Sequence, residues 1–277
     1  MNSRLTASSR IASTTLLSAV ALCLWSYLPC RAQEQDSPSQ SRQEQSQELQ
    51  SATDLQQGAP LQVEDTETAD AGSTQVQVST RYDRTRHGEN EFEIETELQR
   101  GLSDNTQASI AVPYKFGSGD KTGSGDLRLR LMRRMSEQSG SLPAFALVAR
   151  ADLPTGRNTR GIDTALKLVA TRSLEGTPPQ RLHFNAQWMH NAKRRIDERS
   201  NQYQVVFGYD RSLGTNSLLL LDFVREQQPE KGETENLVEL GIRRTLSSQA
   251  VLGLGVGAGI GEDSPHFRVV ASFETQL

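Results

Sequence analysis

Cysteine is absent from this sequence after residue 32; the only two, Cys23 and Cys30, lie near the N-terminus. A chain that loses that segment can form no disulfide, no thiolate metal site and no cysteine nucleophile. This suits export through an oxidising compartment without covalent staples. Long apolar runs are missing beyond residue 32 as well, so nothing there is a candidate transmembrane helix. Positive charge is not in excess: 30 Lys and Arg stand against 34 Asp and Glu. No nucleic-acid partner is implied. The four histidines are scattered, without metal-ligand spacing.

What is present begins with an export signal. Arg4 and Arg10 form a basic start, Leu16 to Leu28 an apolar stretch, and Cys30-Arg31-Ala32 a cleavage region. Residues 1–32 therefore read as a signal peptide cut after Ala32. The stretch is too short for a good membrane anchor. Tyr27-Leu28-Pro29 is a poor lipoprotein box before Cys30. Residues 33–72 are rich in Gln, Glu, Ser and Asp, as in Gln43-Glu44-Gln45-Ser46-Gln47-Glu48. Such a stretch buries too little surface to offset its ordering entropy. It is expected to be a disordered periplasmic leader. A short helix near residues 43–55 is one alternative. A plug folded back into the domain is another, with few large apolar residues to support it.

From residue 73 the pattern changes to an alternation of period two. Glu91-Phe92-Glu93-Ile94-Glu95-Thr96-Glu97-Leu98 places Phe92, Ile94 and Leu98 on one face of a strand and four glutamates on the other. Comparable segments lie at 74–82, 91–100, 106–116, 126–135, 144–153, 163–173, 181–189, 202–211, 217–226, 234–245, 250–260 and 266–276. Each is long enough for a tilted membrane crossing, which takes about ten residues. Alternate connections are short (102–105, 175–180, 212–216, 247–249), with 136–142 somewhat longer; the rest are mostly longer and more charged, 261–265 excepted. Tyr82, Phe92, Tyr114, Phe116, Trp188, Tyr203, Phe223 and Phe267 fall toward one end of their strands, and Tyr209 and Phe273 toward the other, as in interfacial girdles. The fold class expected is all-β: an antiparallel up-and-down transmembrane β-barrel of about twelve strands spanning residues 73–277, in the bacterial outer membrane. A soluble periplasmic β-protein that binds an apolar ligand is the rival fold.

With the apolar set facing lipid, the polar set faces a lumen. The lumen-lining candidates are Glu91, Glu93, Glu95, Glu97, Arg128, Arg130, Arg150, Lys167, His183, Asn185, Glu239, Arg243 and Arg268. Between the glutamate strand and the arginine strand lie the small inward residues Ser109 and Ala111. Arginine is long enough to reach glutamate across them, so Glu93 and Glu95 are expected to pair with Arg128 and Arg130. These charges either brace the interior or line a permeation path and set its selectivity. Gly253, Gly255, Gly257 and Gly259 also face inward. Either something fills the space they leave, with Arg243 and Arg268 as candidates, or the lumen opens there. Twelve strands give a backbone diameter of roughly 25 Å.

Catalytic and metal chemistry find no support in the pattern. His183 and Asn185 share a face, but no serine is clearly paired with them. Asp120 and Asp126 do not have EF-hand spacing. No cofactor is implied.

Several short motifs occur in order: Glu97-Leu98-Gln99-Arg100-Gly101-Leu102 with Asn105, Val112-Pro113-Tyr114, Gly123-Ser124-Gly125-Asp126, Leu153-Pro154-Thr155-Gly156, Leu182-His183-Phe184-Asn185 and Ser264-Pro265. In these the chain resembles the outer-membrane "MetA-pathway of phenol degradation" transporter group over roughly residues 90–277. That resemblance implies a non-enzymatic barrel and, by the group's label, aromatic or hydrophobic solutes. It carries over no catalytic residue. The expected function is passive passage of small solutes; the alternative is a closed structural or adhesive surface barrel. The expected partners are outer-membrane lipid, the barrel-assembly machinery and an unidentified small solute. Gln276-Leu277 stands where many barrels place an aromatic assembly signal, with Phe273 nearby.

Overall fold

Alternation of period two becomes a closed wall. The computed structural model describes residues 59–277 except 87, 118–121, 158–160 and 193. The expected signal peptide and residues 33–58 of the expected leader lie outside the described residues. The strands are β1 (Thr74–Arg84), β2 (Asn90–Ser103), β3 (Thr106–Gly117), β4 (Gly123–Ser124), β5 (Leu127–Ser136), β6 (Ala144–Leu153), β7 (Asp163–Leu174), β8 (Gln180–His190), β9 (Asn201–Ser212), β10 (Ser217–Gln227), β11 (Thr234–Ser247), β12 (Ala250–Gly259) and β13 (Phe267–Gln276). The long strands pair antiparallel with their neighbours in the chain, and β1 pairs with both β2 and β13, which closes the barrel. The twelve long strands agree with the sequence reading to within three residues at every end.

The two-residue β4 prolongs the β5 stave. β3 pairs with β5 from Thr106 to Ala111, then with β4 at Tyr114 and Lys115. The break falls beside Pro113, which has no N–H for the ladder; the Gly125 amide donates to the Pro113 carbonyl at 2.9 Å. A side chain at Gly125 would strike the Pro113 ring, and one at Gly156 would strike the backbone of Ser124 and Gly125. The Gly156 amide donates to Asp126 Oδ1 at 3.0 Å. The Gly-Ser-Gly-Asp and Leu-Pro-Thr-Gly motifs thus form one packed unit where two loops meet.

The apolar residues point out and the charges point in. Leu129 is 39% exposed and Leu254 49%, whereas Lys167 and Arg243 are each 2% and Glu239 is 1%. A soluble barrel shows the reverse. Short turns and both ends of the barrel sequence lie at one rim, here the turn end; longer loops lie at the loop end. There Tyr82 packs on Phe267 (5.8 Å between ring centroids) and Phe116 on Phe92 and Tyr114 (5.9 and 4.7 Å). Phe223 sits deeper, in register with Phe207 and Phe184.

Two features depart from the sequence reading. The inner face is not polar throughout: Val206, Leu218, Leu220, Val224 and Leu237 form one buried apolar cluster and Met132, Ala146, Val148 and Val169 another. And residues 59–69, read as part of a disordered leader, lie inside the barrel, with 70–72 exposed where the chain turns into β1. Leu61 and Val63 join the first cluster, so two apolar side chains are enough where the wall offers a matching patch.

The exterior assignment predicts the response to charge. Leu129→Arg and Val205→Arg should each destabilise the folded barrel by about 2–4 kcal/mol in a lipid-refolding titration. Thr215→Arg, in the turn between β9 and β10, should be near neutral. Equal tolerance at the three positions would contradict a lipid-facing exterior.

Candidate functional site: the barrel lumen

The inward positions of the strands divide into those that hold residues 59–71 and those that line an open cavity. The held segment crosses the lumen beside successive staves. Arg243 Nη1 donates to the Ala59 carbonyl at 3.2 Å. The amides of Gln62 and Val63 both donate to Asp222 Oδ2 at 3.0 Å. Asn185 acts as a backbone mimic: its Oδ1 accepts from the Glu64 amide and its Nδ2 donates to the Glu64 carbonyl, both at 2.8 Å. Further along, the Thr66 amide donates to Thr171 Oγ1 (3.2 Å) and the Ala69 amide to Gln107 Oε1 (2.7 Å). These contacts satisfy amides that the enclosed segment cannot offer to water or a ladder.

Side chains add charge to that frame. The Glu64 carboxylate bridges Arg130 and Lys167, the latter at 2.9 Å, with all three side chains nearly inaccessible. Burial raises the Glu64 carboxyl's pKa, but the charges of Arg130 and Lys167 outweigh it and hold it at about 2. Asp65 pairs with Arg181 at 3.0 Å and Glu67 with Arg134 at 2.8 Å. Pro60 and Leu61 occupy the space beside Gly253 and Gly255, Leu61 that beside Gly241, and Val63 that beside Gly208. The glycine face of β12 is therefore filled, as one of the two readings of the sequence had it. The occupants are the entering segment at Gly253 and Gly255, in place of Arg243 and Arg268. Arg268 and Glu239 do crowd Gly257, and Ser264 and Pro265 crowd Gly259.

His183 belongs to this holding set. Its Nε2 lies 2.9 Å from Asp210 Oδ2 and its Nδ1 3.1 Å from Thr171 Oγ1. A hydroxyl, imidazole and carboxylate in file are the parts of a hydrolytic triad. Here the hydroxyl accepts the Thr66 amide beneath the segment, so the file braces the segment and presents no nucleophile to the lumen.

The expected pairing across β3 is present in part. Arg128 meets Glu95 at 2.7 Å and Arg130 meets Glu97 at 3.5 Å, passing over Ser109 and Ala111. Glu93 instead pairs with Arg81 (2.6 Å) and Lys115 (3.5 Å). Arg268 links Asp83 (2.6 Å), Glu235 (2.9 Å) and Glu239 (3.7 Å), and Arg243 links Glu274 (3.3 Å). Arg150 lies near Asp152 at 3.4 Å. Glu91 borders the loop-end mouth. All thirteen lumen candidates thus face the interior.

Cavities remain around the segment and at the loop end. One of about 430 Å³ lies on the loop side of the segment, with Pro60 and Gln62 in its wall. Another of about 300 Å³ lies toward the turn end, bordered by Thr66, Glu67, Arg134 and Arg181. The third, about 380 Å³ at the loop-end mouth, is strongly acidic, with Asp83, Glu89, Glu230, Glu233, Glu262 and Asp263 among its walls. Sequence reasoning counted Asp222 among the inward negative charges but did not single out Thr171, Asp210 and Gln107, nor Glu64 and its neighbours. The available signal was the cluster Pro60-Leu61-Gln62-Val63 at the end of a polar leader, facing inward glycines on β9, β11 and β12.

A closed wall of twelve long strands, apolar outside and charged inside, is the architecture of outer-membrane channels. No family model and no curated protein matches this sequence. Among solved structures it is similar to the COG4313 outer membrane channel from Pseudomonas putida F1, with a TM-score of 0.58 and 13% identity over 77% of this chain and 98% of that one. It is also similar to the NanC porin (TM-score 0.53, 8% identity, 74% and 100% covered). The KdgM porin gives a TM-score of 0.51 at 8% identity, with 73% and 99% covered. At these identities the likeness is one of fold.

Glu64 is the test of how the segment is held. Removing one partner of a buried ion pair leaves the others uncompensated, at a cost of about 3–5 kcal/mol. Glu64→Gln should therefore release residues 59–71, seen as loss of hydrogen-exchange protection at the amides of Gln62 to Thr66 with strand content intact. Unchanged protection would show that Leu61, Val63 and the backbone hydrogen bonds hold the segment without the ion triad.

Proposed function

We propose that this protein is a bacterial outer-membrane channel that passes small hydrophilic solutes passively, with its own residues 59–71 narrowing the lumen. The observation that carries this reading is the pair of polar cavities on either side of that segment, enclosed by a wall whose outer face is apolar. Charged walls hold water, and water-filled space through a closed barrel is a route for solutes. The loop end faces the exterior, by the usual sorting of long loops and short turns. The aromatic or hydrophobic solutes implied by the phenol-degradation resemblance find less support. The described residues that border the 430 Å³ cavity include no aromatic side chain.

Single-channel recording of the refolded chain after Ala32 tests the reading. A small unit conductance is expected, rising severalfold when residues 59–69 are deleted. Absence of current from both forms, each shown to be folded, would leave the closed structural or adhesive barrel as the better account. Current from the shortened form alone would make the segment a plug that must move before solutes pass.

A further inference from the structure

The cavity on the loop side of the segment, about 430 Å³, is within the size range of small-molecule sites. Its charges are nearly balanced in number but not in place. On β6, Arg150 stands in register beside Arg130, whose own charge is met by Glu64 and Glu97. Asp152 is the carboxylate nearest Arg150, and it is shared. Its Oδ1 lies 3.4 Å from Arg150 Nε and 3.6 Å from Arg128 Nε, and these three buried atoms make no hydrogen bond. The guanidinium's Nη2 also reaches the Met189 sulfur at 3.5 Å, a weak acceptor. This wall has positive charge in excess and donors free to turn.

On β10 the position is reversed. Glu226 stands in register beside Glu235, and Arg268 serves Glu235 at 2.9 Å. Among the described residues Glu226 has no ion pair; its Oε2 accepts from the Gln204 amide at 2.7 Å. This wall has negative charge in excess. β10 lies four steps on from β6 around a ring of twelve staves. On a wall roughly 25 Å across that places their backbones about 20 Å apart and their side-chain tips on the order of 10 Å apart. Gln187 and Gln202 line the arc between them and offer neutral amides to the middle of a solute.

We propose that this cavity is a binding site for a small zwitterion, with its carboxylate on Arg150 and its ammonium on Glu226. The inference rests on the channel reading only for its purpose, since binding and passage are measured separately. A solute with the two charges roughly 5 Å apart fills the gap once a charge-assisted hydrogen bond of about 2.8 Å is allowed at each end. A short ω-amino acid or a dipeptide meets that requirement. A lone anion or a lone cation satisfies one wall and leaves the other uncompensated.

The test uses glycylglycine against N-acetylglycine, glycinamide and N-acetylglycinamide, which are its anionic, cationic and neutral counterparts. Saturation-transfer NMR titrations of the chain in detergent micelles read the binding. Glycylglycine should bind about tenfold more tightly than either singly charged probe, the increment of one charge-assisted contact. Arg150→Gln should remove that advantage without weakening glycinamide, and Arg150→Lys should restore part of it. Glu226→Gln should remove it without weakening N-acetylglycine. Retained heat-modifiable migration on gels confirms that each variant is folded. Equal binding of the four probes by the wild-type chain, or unchanged glycylglycine binding by both Gln variants, would overturn the assignment. If the chain conducts ions but binds the probes alike, the zwitterion site is wrong and the channel reading stands. If it binds glycylglycine selectively but never conducts, the channel reading fails and the site remains.

Discussion

Enclosed charge is the constraint on which the rest of this structure depends. A barrel whose outer face is apolar has no place for its polar half except the interior, where each ion needs a partner. The wall supplies many of these partners itself, through Arg128 with Glu95 and Arg268 with Asp83. It does not supply enough near Arg130 and Lys167. Glu64 comes from outside the wall and compensates both. The segment that carries Glu64 is ordered because the barrel is incomplete in charge without it. Its burial is then consolidated by Leu61 and Val63 in an apolar patch.

Most of the wall was legible because its physics is local. Alternation along one strand reports two environments directly, and Glu91 to Leu98 shows it over eight residues. Turn length and aromatic depth then order the strands. Legibility failed where alternation does. Leu218-Leu219-Leu220-Leu221 is apolar on both faces, one toward the exterior and one toward Leu61 and Val63, so its sequence conceals which side is the lumen. The leader was misjudged at its end for a related reason. Composition measures how much apolar surface a segment can bury by itself, whereas residues 59–72 are ordered by groups far away in the chain, among them Asp222, Asn185 and Gln107.

The inward glycines connect the two failures. A glycine on a strand lowers its propensity and leaves a hollow, and Gly208, Gly241, Gly253 and Gly255 mark the path of Pro60, Leu61 and Val63. The hollows at Gly253 and Gly255 were visible in the sequence; their occupant was not, because arginines on adjacent strands met the same geometric need. The close approach of Gly101 to the backbone of Ala69 and Asp70 is a further case. There the segment turns from the lumen into β1, and any side chain would hold it away from the wall.

Pairing by the segment also decides where charge is left over. With Glu64 on Arg130 and Lys167, the nearby Arg150 shares Asp152 with Arg128 and keeps donors free. On the far wall Arg268 is committed to Asp83 and Glu235, and Glu226 keeps only an amide. An interior with nearly balanced charge can therefore carry a field across its width, because balance in number does not require balance in place. Fields of this kind are strongest where the space is narrow and the surrounding dielectric low. The segment that narrows the lumen thus also helps set the polarity of the space it leaves. In such a space a solute is favoured by how its charges are arranged more than by its net charge.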